Sequence, residues 1–458
     1  MRTKFGCFVA VLSICSALAA QSQFQGSVPT GPVSDTALPL TLRDAIERGL
    51  KINLGLLVSD SNSDIAHSQR VRALSALLPQ VDGHVSETAQ QINLKTIGFD
   101  LHLPGVSIPN ISGPFHYTDV RASASWTAYD YSLRKNLKSA HENERASRLS
   151  VQNARDLVVE AVANSYLQII ADASRADAIR SQVQTAQALY DRTADQQKAG
   201  TAAGIDVLRS QVELQQQQQR LLAQENQFSK DKLALGRIIG LNSAQDFNIA
   251  DTVPFSPLTS ITQEQALRLA LDQRPDIQSY AAQVRAAEDA ILAARGQRYP
   301  TAGVTADYGD VGPTLNNSHG TFSFVASAKF NIFDSGRIGS DITQAKATLK
   351  QRQDELSDLR GQVEVQVRTA FLDIRTAADQ VRVAQSSLGL ANQTLVQARD
   401  RFSAGVTDNI EVVQAQESVA TANDNLIAAL YSHNVSKVAL ARALGAADQG
   451  IQRIVEVK

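Results

Sequence analysis

The sequence predicts an α+β membrane protein built from two structural repeats, each of which joins long coiled-coil helices to one β-hairpin. Three observations support this class. An apolar heptad seam runs without a break from Val363 to Phe402, which is typical of a helix in a coiled coil. One series of motifs occurs twice along the chain. Within each series, short segments alternate apolar and polar residues, as strands do.

The apolar seam alternates small and large side chains along its length. Its small position is filled by Ala370, Ala377, Ala384, Ala391 and Ala398. Such alternation lets two helix backbones approach closely, as in an antiparallel pair. The seam stops at Gly405, and the same spacing resumes from Val412 to Ala429. The pattern therefore predicts a long helical hairpin with its tip near Gly405.

The repeated motifs define the organisation of the chain. Residues 40–50 match residues 261–271, and Ile205-Asp206-Val207 matches Ile410-Glu411-Val412. We expect a first repeat at 40–250, with its own helical hairpin tip near Gly200, and a second repeat at 261–446. An N-terminal extension (20–39), a linker (251–260) and a C-terminal tail (447–458) complete the mature chain.

Each repeat contains one pair of segments that alternate apolar and polar residues. The predicted strands cover about 80–93 and 116–129 in the first repeat, and about 301–310 and 321–333 in the second. A small soluble sheet packed on helices would fit this alternation. Membrane strands, which need about 9–11 residues, would also fit, with Trp126 and Phe322 towards lipid and Arg121 and Lys329 towards water. Since four strands cannot close a barrel, three copies of the chain would then share one with 12 strands.

Residues 1–19 have the features of a secretory signal peptide. Arg2 and Lys4 form a basic start, an apolar run follows, and Ala17-Leu18-Ala19 is a cleavage motif. A lipoprotein acylated at Cys15 is the alternative interpretation. If cleavage occurs before Ala20, both cysteines leave with the signal peptide, and the mature chain has no thiol.

Composition and motifs argue against several functions. The 458-residue chain has a formal net charge of -2, which gives no electrostatic support for nucleic-acid binding. Its seven histidines show no metal-ligand spacing, and no phosphate-binding or nucleophile motif occurs. We therefore expect no catalytic residue, no metal and no cofactor.

The repeated order of helix, hairpin, long helix, turn and helix resembles the TolC-like outer-membrane efflux family. The resemblance also rests on Phe333-Asp334-Ser335-Gly336-Arg337 after a strand, and on Ala-Gly-x-x-x-x-Ile-Asp/Glu-Val at residues 199–207 and 404–412. It implies a homotrimer with a shared 12-stranded β-barrel in the outer membrane and an α-helical tunnel through the periplasm. Such a trimer is the exit duct of a tripartite efflux or type I secretion system and does no chemistry.

The resemblance also implies roles for particular residues. Asp206 and Glu411 occupy the acidic positions of the motif that lines the periplasmic entrance of the channel. Gln414 stands where a second carboxylate can occur, and Phe402 stands where a hydrogen-bonding tyrosine can occur.

The helical hairpin tips would dock the periplasmic adaptor that connects the channel to an inner-membrane transporter. Gly200 and Gly405 stand at the reversals, where positive φ favours glycine, and Ile205 and Ile410 follow them. The alternative function is a periplasmic coiled-coil scaffold without a pore, which requires that the hairpins do not insert into lipid.

Overall fold

The structure is a computed structural model that describes residues 23–30, 36–98, 109–251, 255–257, 261–407, 409–445 and 447. The predicted signal peptide at 1–19 lies outside these residues. Parts of the predicted extension and linker, and all of the tail beyond residue 447, also lie outside them.

Eight helices occur within the described ranges, and four of them are long. The helices are α1 (Leu42–Ile52), α2 (Leu54–Ser75), α3 (Tyr131–Lys198), α4 (Gly204–Ile238), α5 (Gln263–Gln273), α6 (Pro275–Gly296), α7 (Arg337–Ser403) and α8 (Asn409–Ala443). The strands are β1 (Leu38–Leu40), β2 (Gln80–Asn93), β3 (Ile111–Tyr129), β4 (Phe247–Ile249), β5 (Thr301–Gly312) and β6 (His319–Lys329). Among the helices in the described ranges, none combines the length and the apolarity needed to cross a membrane.

The first helix of each repeat is broken at the same place. The sequence predicts one helix over about 41–77, but Asn53 has an extended backbone and separates α1 from α2. The buried Asn53 side chain donates to the carbonyl of Phe24 (2.7 Å) and accepts from the amide of Gly55 (3.0 Å), so it stabilises the break. Arg274 takes the corresponding extended position between α5 and α6, immediately before Pro275.

The chain forms two compact units, and each unit contains segments of both repeats. The first lies within residues 1–63, 147–280 and 355–458, and the second within 64–146 and 281–354. The two compact units therefore do not correspond to the two sequence repeats.

The first unit is built on the predicted apolar seams. Val363, Val367 and Val381 are fully buried, and the alanines between them are buried as well. A larger cluster joins α1, α3, α4 and α8 around Tyr166, whose hydroxyl lies 2.9 Å from the carbonyl of Leu40 and 2.9 Å from the Asp251 carboxylate. Burial, together with the hydrogen bond to that carboxylate, raises the pKa of Tyr166. Tyr166 is fully buried and is therefore a core residue of this unit.

The second unit contains an antiparallel sheet with strand order β2-β3-β5-β6. The strand predicted from residue 116 begins at Ile111, and the strand predicted to end at residue 333 ends at Lys329. One face of the sheet is mainly apolar. The register of the strand pairs places Val85, Ala124, Val304 and Phe324 on this face. The opposite face carries mainly polar side chains, and within the described ranges β2 and β6 each have one edge without a partner strand.

Candidate functional site

The two helical hairpin tips and the helix ends beside them contain the predicted site residues. The first tip is residues 199–206, which are the turn after α3 and the start of α4, and the second is residues 404–411, which are the turn after α7 and the start of α8. Phe402 in the last turn of α7 and Gln414 in α8 lie just outside the second tip. Both tips belong to the first unit, and the structure describes all of their residues except 408. The predicted residues therefore occur in two corresponding places rather than in one pocket.

The first tip reverses through a Schellman motif centred on Gly200. The amide of Gly200 donates to the carbonyl of Gln197 (2.9 Å), and the amide of Thr201 donates to the carbonyl of Gln196 (2.9 Å). Gly200 has φ +76°, and a Cβ placed on it would meet nothing within 4 Å. The requirement for glycine thus comes from the backbone conformation and not from crowding.

The second tip repeats this geometry at Gly405, which has φ +70°. Its amide donates to the carbonyl of Phe402 (3.1 Å), and the amide of Val406 donates to the carbonyl of Arg401 (3.0 Å). Again no atom of the described residues lies within 4 Å of a Cβ placed at this glycine. The two tips are therefore copies of one another in backbone structure.

Asp206 lies in the first turn of α4, where a carboxylate complements the helix dipole. Its side chain is only 16 % exposed, and one oxygen lies 3.5 Å from the Arg209 guanidinium. Its backbone carbonyl accepts a hydrogen bond from the side-chain amide of Asn409 (2.9 Å), which is fully buried at the start of α8. The backbone of Asp206, in the first hairpin, is thus hydrogen-bonded to the second hairpin.

Glu411 takes the corresponding position in α8 and has a more open environment. Its side chain is 38 % exposed, and a carboxylate oxygen lies 3.6 Å from the Arg401 guanidinium at the end of α7. An exposed pair of this kind contributes little stability, about 0–1 kcal/mol. Gln414 is exposed one turn later, in the position that Arg209 has in the first hairpin.

Phe402 packs in the second hairpin rather than forming a hydrogen bond. Its half-buried ring contacts the apolar cluster that includes Leu395, Ala398 and Val412. The Arg192 guanidinium of α3 lies 5.8 Å from the centre of the ring, which is within the range of a cation–π contact. The contact links the first hairpin to the second, and Arg192 could not be identified from the motif.

The interior of the two hairpins differs just above the tips. In the first, the buried hydroxyls of Thr193 and Ser210 lie 2.7 Å apart and join α3 to α4. The corresponding positions of the second hairpin are Ala398 and Ala415, which are also buried. Only the first hairpin therefore has a hydrogen bond at this level of its seam.

A further ion pair joins the hairpins through α4 and α8. The Arg220 guanidinium donates to both carboxylate oxygens of Glu417, at 2.9 and 3.1 Å. The hydrogen bonds that Arg220 donates to the Glu417 carboxylate raise the pKa of Arg220, although both side chains are partly exposed. The sequence pattern gave no indication of this pair because its members are far apart in the chain.

The tips also expose apolar side chains. Ile205 is 51 % exposed and Val406 is 69 % exposed, and Leu208 and Val212 continue an exposed row along α4. Ile410 is half-buried, so the two isoleucines of the motif have different environments. Within the described residues, no group of three or more His, Cys, Asp or Glu side chains is arranged to hold a metal ion.

The fold is shared with solved structures of outer-membrane channels. The chain superposes on the CmeC outer membrane channel of Campylobacter jejuni with a TM-score of 0.78 and 17 % identity, over 93 % of this chain and 92 % of that one. It also superposes on a membrane protein of Pseudomonas aeruginosa with a TM-score of 0.79 and 18 % identity, over 91 % and 95 % of the two chains.

The sequence model of the outer membrane efflux protein family matches residues 46–241 and 266–446, and the chain belongs to this family. It is therefore an outer-membrane efflux protein, as its motifs predict. The two matched segments fall within the two repeats.

Named relatives cover most of the chain. The probable efflux pump outer membrane protein TtgC of Pseudomonas putida is 25 % identical over 429 residues, which are 88 % of this chain and 82 % of that protein. The cation efflux system protein CusC of Escherichia coli is 24 % identical over 337 residues, or 69 % and 71 % of the two chains. These matches favour a channel over the scaffold without a pore.

We predict that Gly200→Ala loosens the first tip, because an L-residue at positive φ costs about 1–2 kcal/mol. Amide hydrogen exchange at residues 196–206 should then become roughly five- to thirtyfold faster. Gly200→Asn is the matched control and should have a smaller effect, since asparagine adopts this conformation more readily. Unchanged exchange in the alanine variant would contradict the argument from backbone conformation.

Proposed function

We propose that three copies of the chain form one exit channel, with a shared 12-stranded β-barrel in the outer membrane and a helical tunnel in the periplasm. The observation that carries this proposal is the four-stranded sheet, whose outer strands β2 and β6 each leave one edge without a partner strand among the residues that the structure describes. Unpaired backbone amides and carbonyls are not tolerated in lipid. Pairing of β2 in one copy with β6 in the next removes every such edge when the ring closes.

The two faces of the sheet support insertion into a membrane. Phe322, Phe324 and Trp126 are exposed on the apolar face, where acyl chains would cover them. The four strands contain 14, 19, 12 and 11 residues, which is enough to cross a bilayer core that needs about 9–11. The polar face would then line a water-filled lumen.

The helical hairpins of three copies would continue this lumen as a tunnel. The channel would serve a tripartite efflux or type I secretion system and receive its substrate from an inner-membrane transporter through a periplasmic adaptor. The names of the relatives support this assignment, since TtgC and CusC are described as parts of efflux systems. No catalytic step and no cofactor are needed for such a role.

The first expected result concerns assembly. In mild detergent, the protein extracted from outer membranes should be a trimer with no stable folded monomer, because a single copy leaves two sheet edges open. Light scattering coupled to size exclusion, together with circular dichroism, measures both properties. A monodisperse monomer that keeps its native helix content would overturn the proposal.

The hairpin tips would dock the adaptor through their exposed apolar side chains, including Ile205 and Val406, with the half-buried Ile410 beside them.

Gly405→Trp places a bulky group at the second tip, where the described residues of the wild-type chain leave open space. We expect this variant to lower export while the amount of trimer in the membrane stays unchanged. Gly405→Asn is the control and should export nearly as wild type. Loss of the trimer itself in Gly405→Trp would show that residue 405 is not at a docking tip.

The narrow end of the tunnel would carry Asp206 and Glu411 from each copy, with Phe402 and Gln414 beside them. Carboxylates gathered around an axis attract cations, and a multivalent cation bridging them would block flow. Because Arg401 lies 3.6 Å from Glu411, it neutralises part of this charge.

Glu411→Gln should therefore reduce cation selectivity and divalent block in planar bilayers, by roughly twofold for a unit charge beside the ion path. Asp206→Asn should have a similar or smaller effect, since its side chain is less exposed. Arg401→Gln is the opposite control and should increase cation selectivity. Equal selectivity and equal block in the wild type and in the Asp206→Asn, Glu411→Gln double variant would remove both carboxylates from the entrance.

A further inference from the structure

The polar face of the sheet contains one ion cluster that spans three strands. The guanidinium of Arg121 on β3 is hydrogen-bonded to Asp307 on β5 and lies 3.3 Å from Asp119 on its own strand. It also lies 3.3 Å from the hydroxyl of Thr321 on β6. A single cation thus interacts with two carboxylates and with two neighbouring strands.

Gly309 makes this arrangement possible. It is paired with Arg121 on one side and with Thr321 on the other, so it lies directly beneath the path of the arginine side chain. A Cβ on Gly309 would lie 2.6 Å from the carbonyl oxygen of Val120 and 2.8 Å from Cα of Arg121. The bare backbone of β5 therefore lets the guanidinium cross to Asp307 and Thr321.

The cluster determines the charge balance of the polar face. Strand pairing places Asp82, Asp119 and Asp307 on this face, where the cations are Arg121 and Lys329. His84 lies on β2 directly opposite Arg121. Lys329 is the last residue of β6, so in the middle of the face only Arg121, among the lysines and arginines of the described strands, offsets the carboxylates.

We propose that Arg121 weakens the cation preference of the β-barrel lumen by offsetting part of the negative charge of Asp119 and Asp307. This inference rests on the proposed function, in which the polar face lines the lumen and three copies place three such clusters around it. Without Arg121 the two carboxylates face the lumen unpaired and favour cations. With it, the cluster carries one net negative charge per copy instead of two, which weakens the preference for cations.

Reversal potentials across planar bilayers in a KCl gradient test the proposal with variants of opposite sign. Arg121→Gln should raise the permeability ratio of potassium over chloride by up to roughly sevenfold, since loss of a unit positive charge near a wet path changes the energies of the cation and of the anion by about RT each, in opposite directions. Asp307→Asn should lower the same ratio. Arg121→Lys keeps the charge and should stay close to the wild type.

These variants distinguish an effect of charge from an effect on folding. If Arg121 had a merely structural role, Arg121→Gln and Asp307→Asn would not shift the permeability ratio in opposite directions. Wild-type ratios in both Arg121→Gln and Asp307→Asn, or shifts in the same direction, would overturn the inference. If Arg121→Gln does not assemble, Asp307→Asn decides alone, and an unchanged ratio would overturn the inference. Failure of the wild-type chain to form a trimeric pore at all would instead overturn the proposed function.

Discussion

The structure depends on the close approach of long helices along seams of alternating small and large side chains. In α7 the alanines at every seventh position, such as Ala370 and Ala377, are buried between fully buried valines. Helix propensity alone gives an isolated helix little stability, so these long helices require contact with a neighbouring helix along their whole length. Each hairpin satisfies this requirement for about half of its long helix, because the returning helix has 35 residues against 68 in α3 and 67 in α7. The tips can consequently be short, and Gly200 and Gly405 adopt the same reversal.

The repeats, the seams and the hairpins were predictable because each rests on periodicity or on recurrence in the sequence. The break at Asn53 was not, since its cause is a side chain that bonds to Phe24, a residue distant in the chain. The hairpin tips show the same limit. The motif identified Asp206 and Glu411, but Asn409, Arg192 and Arg401 act through contacts between helices, which no local pattern records. The reach of Arg121 over Gly309 likewise depends on strand pairing.

The two hairpins share a backbone but differ in how their helices are joined. The first has a buried hydrogen bond between Thr193 and Ser210, whereas the second has alanines at both positions. A buried hydrogen bond between hydroxyls has a directional requirement that two methyl groups lack. The second hairpin relies on nondirectional packing around Phe402 and on the exposed pair of Arg401 with Glu411. Sliding of one helix past another is therefore less restricted in the second hairpin than in the first.

The pairing of β3 with β5 has a consequence for how the protein is made. This ladder joins Thr118 to Gly312, so the sheet brings together two strands that are separated in the chain by all of α3, α4, α5 and α6. Folding slows as the mean sequence separation of contacts grows, because long loops must close before those contacts are gained. The first β-hairpin must wait, with exposed apolar side chains and an open edge, until the second repeat has been synthesised. A chain with this topology has a high demand for chaperones that hold unfolded polypeptide between its synthesis and its insertion.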